Sequence, residues 1–270
     1  MKYLKMVLTM LMIGLLTACG GANDSDQQVN DVIENSAPLT EEEFHQMYVN
    51  PNAFIGRVVE FYARIFITPE RNEDGIYIQA FAKNNPDRNT IITIQDSTLN
   101  VTDGDIIRVT GTVEDVFEGE NLFGGTIIAP FIVATDIEIS DYANAFSPAI
   151  HTIEVNQSIE QHEVTITVEK IEIAEEETRV YITVKNDSLY EFDFFTWNQR
   201  ATIGNTQLDI QDNWEANYPE VQSNLLPGIE SSGIIVFPKF EGESVRLFLD
   251  GNSNNWELDF DTYIFEINLN

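Results

Sequence analysis

A chain of 270 residues with 14 Lys and Arg against 45 Asp and Glu, a net charge of −31 and a single cysteine rules against several kinds of chemistry. Phosphate backbones demand clustered cations, yet residues 38–145 carry 6 basic and 18 acidic side chains and 150–270 carry 6 and 23, so nucleic acid is not expected as a partner. The acids read as a solvated surface that maintains solubility, not as catalytic machinery.

Lys2 and Lys5 precede an apolar run from Val7 to Leu16 that only Thr9 and Gly14 interrupt. A membrane span needs about 20 apolar residues, so this run has the proportions of a secretory signal, residues 1–18. Leu16-Thr17-Ala18-Cys19 resembles a bacterial lipobox. That resemblance implies a diacylglyceryl group on the Cys19 sulfur, cleavage before Cys19 and acylation of the new amine, as by palmitate. Each buried CH₂ contributes about 0.8 kcal/mol, so two or more chains anchor stably where one does not. The expected location is the extracytoplasmic face of the cell membrane, with Cys19 as the membrane contact. A lipidated Cys19 leaves no thiol for a disulfide, a zinc thiolate or a nucleophile.

Residues 19–37, small, polar and acidic, read as a flexible tether. In LTEEEFHQMYVNP, Thr40 and Glu43 have the spacing of a capping box, and Phe44, Met47 and Tyr48 share one face. One short amphipathic helix is predicted there. From Arg57 the apolar period becomes two: Val59, Phe61, Ala63 and Ile65 alternate with polar or aromatic residues, and four more strands follow at 75–82, 90–96, 105–116 and 129–139. Gly111, inside the fourth, marks a bend or bulge of the kind a small barrel needs. Five strands with GDIIRVTGTVEDV as the fourth resemble an OB-fold over about residues 50–140, giving a first domain at 38–145.

DYANAFSPAIHT breaks the alternation at 141–152 and places a domain boundary there. HEVTITVEKIEI slips phase near Lys170, predicting a bulge. TRVYITVKN, YEFDFFTW, RATIGNTQLDI, GIIVFP, VRLFLDG, WELDF and YIFEINL continue as short strands, with a hairpin at Gly204-Asn205. This density of strands suggests an immunoglobulin-like sandwich over 150–270, and hence an all-β chain. VTITVEKIEIAEEETRVYITVKNDS, YPEVQSNLLPGIESSGIIVFP and the closing RLFLDG…DFDTYIFEI resemble the immunoglobulin-like extracellular domain of unknown function found in bacterial lipoproteins. Its fold is related to secreted immunoprotective antigens, and it is often mislabelled a telomeric repeat-binding factor. The resemblance implies fold and location and carries no catalytic residue.

His45, His151 and His162 have no ligand spacing, so no metal or other cofactor is expected. DGNSNNWELDFD echoes a calcium loop at Asp250, Asn252, Asn254 and Asp261, but Asn255 stands where glycine is required, and a polar turn explains the residues. OB-folds present ligands to strands two and three and the adjoining loops. That makes Tyr77 and Phe81, on one strand face, and Phe117 and Phe123, in the loop FEGENLFGG, candidate binding residues. The alternative is packing against the helix or the second domain. DNWEANYPEVQSNLLPGIESSG (212–233) is too long for a hairpin loop and too apolar to be freely solvated. It is expected to lie across the sandwich, to bury Leu225 or Leu226 and to turn at Gly228. Trp214 and Tyr218, the remaining candidates, are expected to cover the sandwich end rather than project toward a partner. The functional expectation is a non-catalytic binding or assembly module for another envelope component, with a carboxylate-dependent hydrolase acting on cell-wall or extracellular polymer as the alternative.

Overall fold

The computed structural model describes residues 37–73, 75–96, 98–120 and 125–270. Cys19 and the segments read as signal and tether therefore lie outside the described residues, apart from Ala37. The described residues are all-β, with little helix.

Helix α1 (Glu41–Val49) begins with the capping box that its sequence predicts: the Thr40 hydroxyl accepts from the Glu43 amide, and the Glu43 carboxylate accepts from the Thr40 amide. Its apolar stripe buries Phe44 and Met47 against the first core, where the Phe44 and Phe61 rings lie 5.2 Å apart. The Tyr48 hydroxyl meets Thr90 Oγ1 at 2.6 Å. Strands β1 (Val58–Ile65), β2 (Glu70–Asn72), β3 (Gly75–Ala82), β4 (Asn89–Ile94), β5 (Ile106–Glu120) and β6 (Thr126–Ser140) form one sheet in the order β1-β5-β6-β4-β3-β2. Pairing of β1 back onto β3, Ala63 opposite Ala82, closes it into a five-stranded barrel with β2 appended. The β4–β6 pair is parallel and the rest antiparallel, the connectivity of an OB-fold. Period two sets the core: Val59, Phe61, Ala63, Ile65, Ile76, Ile78 and Ala80 point in. The β5–β6 register shifts at Thr110/Gly111, where the sequence predicts a bend.

A single-turn helix, α2 (Tyr142–Ala145), capped by the Asp141 side chain, follows the barrel. The second core shares no residue with the first. One of its sheets runs β14 (Glu230–Pro238), β9 (Glu177–Asn186), β8 (Val164–Ile173), β7 (His151–Gln161); the other runs β12 (Thr206–Asp209), β11 (Arg200–Ile203), β15 (Ser244–Leu249), β17 (Tyr263–Asn268). A small third sheet joins β13 (Asn224–Leu225), β10 (Phe192–Phe194) and β16 (Gly251–Ser253). Because β9 pairs with the distant β14 and β11 with β15, the strands cross between sheets as in an immunoglobulin sandwich. With one cysteine in the chain, no disulfide joins the sheets. Aliphatic packing does so instead: Ile166, Val180 and Ile182 share one core with Leu247 and Phe265, and the buried Tyr263 hydroxyl donates across to the Val164 carbonyl at 3.3 Å. The bulge predicted near Lys170 is the β8–β9 register shift between Val168 and Lys170.

Three expectations are corrected. Strand β7 is absent from the sequence reading: Ile153, Val155 and Ile159 pack partly buried against the second core, but the polar run Asn156-Gln157-Ser158, at a register shift after Glu154, interrupts their alternation. WELDF is not a strand: the Asn255 carbonyl accepts from the Leu258 amide in a turn, and Trp256 points to solvent. The β5–β6 ribbon extends beyond the barrel to Glu120 and Thr126, so Phe117 lies on a strand opposite Ala129 rather than in a loop. Outside the barrel the ribbon is mostly half-buried or exposed, Ala129 and Pro130 excepted, and alternation no longer reports the strand.

Candidate functional site

The segment from Ile210 to Ile229 is a strap along the free edge of β14. The Gln211 amide donates to the Val236 carbonyl at 2.8 Å, the Ile234 amide to the Pro219 carbonyl at 2.8 Å, and the Gln222 amide to Ser231 Oγ at 2.9 Å. Contact is so close that a Cβ on Gly233 would overlap the Val221 nitrogen. On its other side the strap reaches β10, where the Phe194 amide donates to the Ser223 carbonyl at 2.8 Å. It thus closes the side of the sandwich. Val221 and Leu225 enter the core, and Gly228 turns at φ +80°. Leu226 does not enter it: it is 52 % exposed, since adjacent residues of extended chain point to opposite sides and Leu225 takes the inner one.

Trp214 and Tyr218 part company. Tyr218 is committed within the protein: its hydroxyl donates to Glu177 Oε1 at 2.5 Å and accepts from Arg179 Nη1 at 3.3 Å, and burial pushes its phenol well above the ordinary tyrosine value. Trp214 covers nothing and is 84 % exposed, which corrects the expected covering role. The reason lies in its neighbours. Asn213 Nδ2 donates to Glu177 Oε2 at 2.8 Å, while Glu215 receives Arg64 on its carbonyl at 2.6 Å and Asn84 on its carboxylate at 2.8 Å. Pinned on both sides, the turn directs the intervening indole outward.

A second indole, Trp197, stands 73 % exposed beside the same cleft. It rides on the β10–β11 connection, which the buried Gln199 amide fastens by donating to the Phe195 and Asp250 carbonyls at 2.7 and 3.0 Å. Between the two indoles lies a cleft of about 580 Å³. Its apolar lining includes Phe194, Ile210 and Val221, and its polar lining includes Gln211, Asp212, Asn217 and Glu220. No Lys or Arg lines it. Sequence reasoning misses Trp197 by reading YEFDFFTW as one strand; the break in alternation at Thr196-Trp197-Asn198 is the available signal.

The other candidates lie elsewhere. Tyr77 and Phe81 share the outer face of β3, where Phe81 stacks on Phe66 at 4.0 Å and Tyr77 stands 6.3 Å from Phe131. Partial burial, with Glu70 nearby, raises the Tyr77 phenol value. Phe117 is half-buried on the β5 ribbon, and Phe123 lies outside the described residues. The barrel aromatics and the strap therefore form separate surfaces.

Asp250 is engaged by the protein: its carboxylate accepts from Arg200 at 2.7 Å and from Thr262 at 2.6 Å. Among the described residues no cluster of three or more His, Cys, Asp or Glu is placed to hold a metal ion, and no helix is long and apolar enough to cross a membrane. The buried Glu177 and the half-buried Glu172 both clamp the guanidinium of Arg179.

No protein-family model and no curated protein matches the chain. Among solved structures, it is similar to a functionally unknown protein from Listeria monocytogenes EGD-e, with 8% identity, a TM-score of 0.36, and coverage of 46% of this chain and 88% of that one.

Proposed function

We propose that the chain is an exported, lipid-anchored binding module, held at the extracytoplasmic membrane face through Cys19, that engages another envelope component through the Trp197–Trp214 cleft. The observation that carries this reading is the pair of indoles, both largely exposed and both presented from pinned turns. Tryptophan is usually well buried, and exposed rings on a rigid support are typical of binding hot spots. Rigid presentation also lowers the entropy lost on binding. The lipobox-like Leu16–Cys19 segment and the resemblance of 150–270 to lipoprotein extracellular domains support the location.

The hydrolase alternative asks for a carboxylate pair free to exchange protons in a cleft. Glu172 and Glu177 are instead ion-paired to Arg179, and although burial pushes their carboxyls up, hydrogen bonds hold both below the ordinary range. That favours binding.

The test is paired. Cys19→Ser should move the protein from the membrane fraction to the soluble one or leave it uncleaved, and Trp214→Ala should abolish capture of its partner from solubilised envelope. Membrane retention with acyl label on Cys19→Ser overturns the anchor; undiminished capture by Trp214→Ala overturns the cleft.

A further inference from the structure

We infer that the Trp197–Trp214 cleft takes an uncharged, hydroxyl-rich saccharide chain; this rests on reading that cleft as the binding site. Among the described residues, the side chains of Gln211, Asp212, Asn217 and Glu220 enter no hydrogen bond or ion pair within the protein, whereas neighbouring Asn213 and Tyr218 are committed to Glu177. Two carboxylates there accept only, and two amides both donate and accept. A fitting ligand must therefore bring donors to the carboxylates and supply both roles to the amides. A hydroxyl does both.

The indoles add a second requirement. Each offers a broad apolar face with one N–H at its edge, so the ligand must also present flat, weakly polar C–H surface. A pyranose ring combines such a face with a hydroxylated rim. Two indoles bordering a cleft of about 580 Å³ suit more than one ring of a chain.

Other polymers fit less well. Phosphate-bearing chains would meet Asp212 and Glu220 with no cation in the lining. A proline-rich segment in an extended helix could lie on the indoles, but proline has no N–H to give the carboxylates. A cationic peptide could satisfy them through ion pairs. Its signature would be strong dependence on salt, which an uncharged saccharide lacks.

Full-length chain carrying Cys19→Ser, to keep it in solution, is titrated with neutral hexasaccharides of glucose, N-acetylglucosamine and mannose, and with oligolysine, following tryptophan fluorescence and calorimetry. Trp256, exposed in the β16–β17 connection and absent from the cleft lining, serves as the internal control. At least one saccharide should bind, with affinity unchanged from about 0.05 to 0.5 M salt. Trp197→Ala and Trp214→Ala should each weaken it about tenfold or more, while Trp256→Ala should not. Circular dichroism confirms that the variants fold.

Saccharide binding indifferent to Trp197 and Trp214 overturns the site. Binding of oligolysine alone, steeply salt-dependent, overturns the ligand class. If none of the saccharides binds while capture from envelope still requires Trp214, the ligand class is wrong and the cleft stands; if capture is also indifferent to Trp214, both readings fall.

Discussion

Arg179 Nη1 donates to Glu177 Oε1 at 2.7 Å, two residues away on the same face of β9, with the arginine side chain 1 % exposed on the outer side of the sheet. What buries it is irregular chain. The same nitrogen reaches the Ser147 carbonyl at 2.8 Å in the segment joining the two cores, and Glu177 receives Tyr218 and Asn213 from the strap. Glu172 on β8 takes Nε and Nη2 at 3.1 Å each and also the Tyr181 hydroxyl at 2.8 Å. One buried cation thus gathers sheet, joint and strap.

Glu177→Gln should be among the most destabilising single changes in the sandwich. It leaves the buried guanidinium with Glu172 as its one carboxylate partner and replaces one of the two oxygens that seat Tyr218 and Asn213 with an amide nitrogen, which cannot accept. Breaking one partner of a buried pair costs about 3–5 kcal/mol, and the surviving Glu172 contact puts the expectation at about 3. Urea unfolding measures it. Losses below about 0.5 kcal/mol, the surface range, would show that the cluster holds nothing together.

The same pair predicts a pH dependence. Burial raises the Glu177 and Glu172 carboxyls, but hydrogen bonds from Tyr218, Asn213 and Arg179 to the first, and from Lys170, Tyr181 and Arg179 to the second, outweigh it and lower both. A carboxyl depressed in the fold stabilises above its unfolded value, about 4.3 for Glu, and that stabilisation is lost as pH falls through the folded value. Protonation elsewhere relieves the self-repulsion of a chain at −31, an opposite effect. The readout is therefore a difference: the stability gap between wild type and Glu177→Gln should be constant near neutrality and shrink in acid below about pH 4. A gap independent of pH throughout contradicts the assignment.

Leu225 and Leu226 differ by one position and should differ sharply in consequence. Leu225 is fully buried, and its carbonyl accepts from the buried Asn186 side chain at 2.9 Å, so Leu225→Ala should cost about 2–5 kcal/mol. Leu226→Ala, at an exposed position, should stay within about 0.5 kcal/mol. Chemical denaturation of the two variants decides, and equal losses would mean the strap can slide its register.

Legibility in the sequence follows from enclosure. Strands whose inner face meets a core, such as Val58–Ile65 and Val164–Ile173, announce themselves by alternation, and Gly111 and Lys170 mark their irregularities correctly. Strand β7 interrupts Ile153, Val155 and Ile159 with the polar, register-shifted Asn156-Gln157-Ser158, and the outer β5–β6 ribbon is only partly buried, so period two is weak in both. The site is half legible. Composition identifies the strap as pinned and Trp214 as conspicuous, but not the direction of its indole, which the anchoring of Asn213 and Glu215 by distant residues decides. Trp197 and the Arg179 cluster are harder to read because partners such as Ser147, Tyr218 and Asp250 come from 32 to 52 positions away, although Glu177 and Glu172 lie close to Arg179 in sequence.

Arg64, facing outward on β1, donates through Nη2 to the Glu215 carbonyl at 2.6 Å and through Nε to Asn84 Oδ1 at 2.9 Å, and lies 5.9 Å over the Tyr142 ring. Asn84 in turn donates to the Glu215 carboxylate at 2.8 Å, and Tyr142 meets Tyr218 edge-on at 6.1 Å. The barrel thereby braces the turn that presents Trp214. Arg64→Ala removes the brace without touching either core, because its side chain enters neither. It should leave circular dichroism unchanged and speed protease cleavage within residues 141–152, by about tenfold if the lost coupling is near 1.4 kcal/mol. Two folded fragments should result, and the emission of Trp214 should become less polarised as its turn gains freedom. Cleavage and polarisation unchanged in Arg64→Ala would show that the barrel does not brace the strap. A single resistant core in both proteins would count against two separable domains.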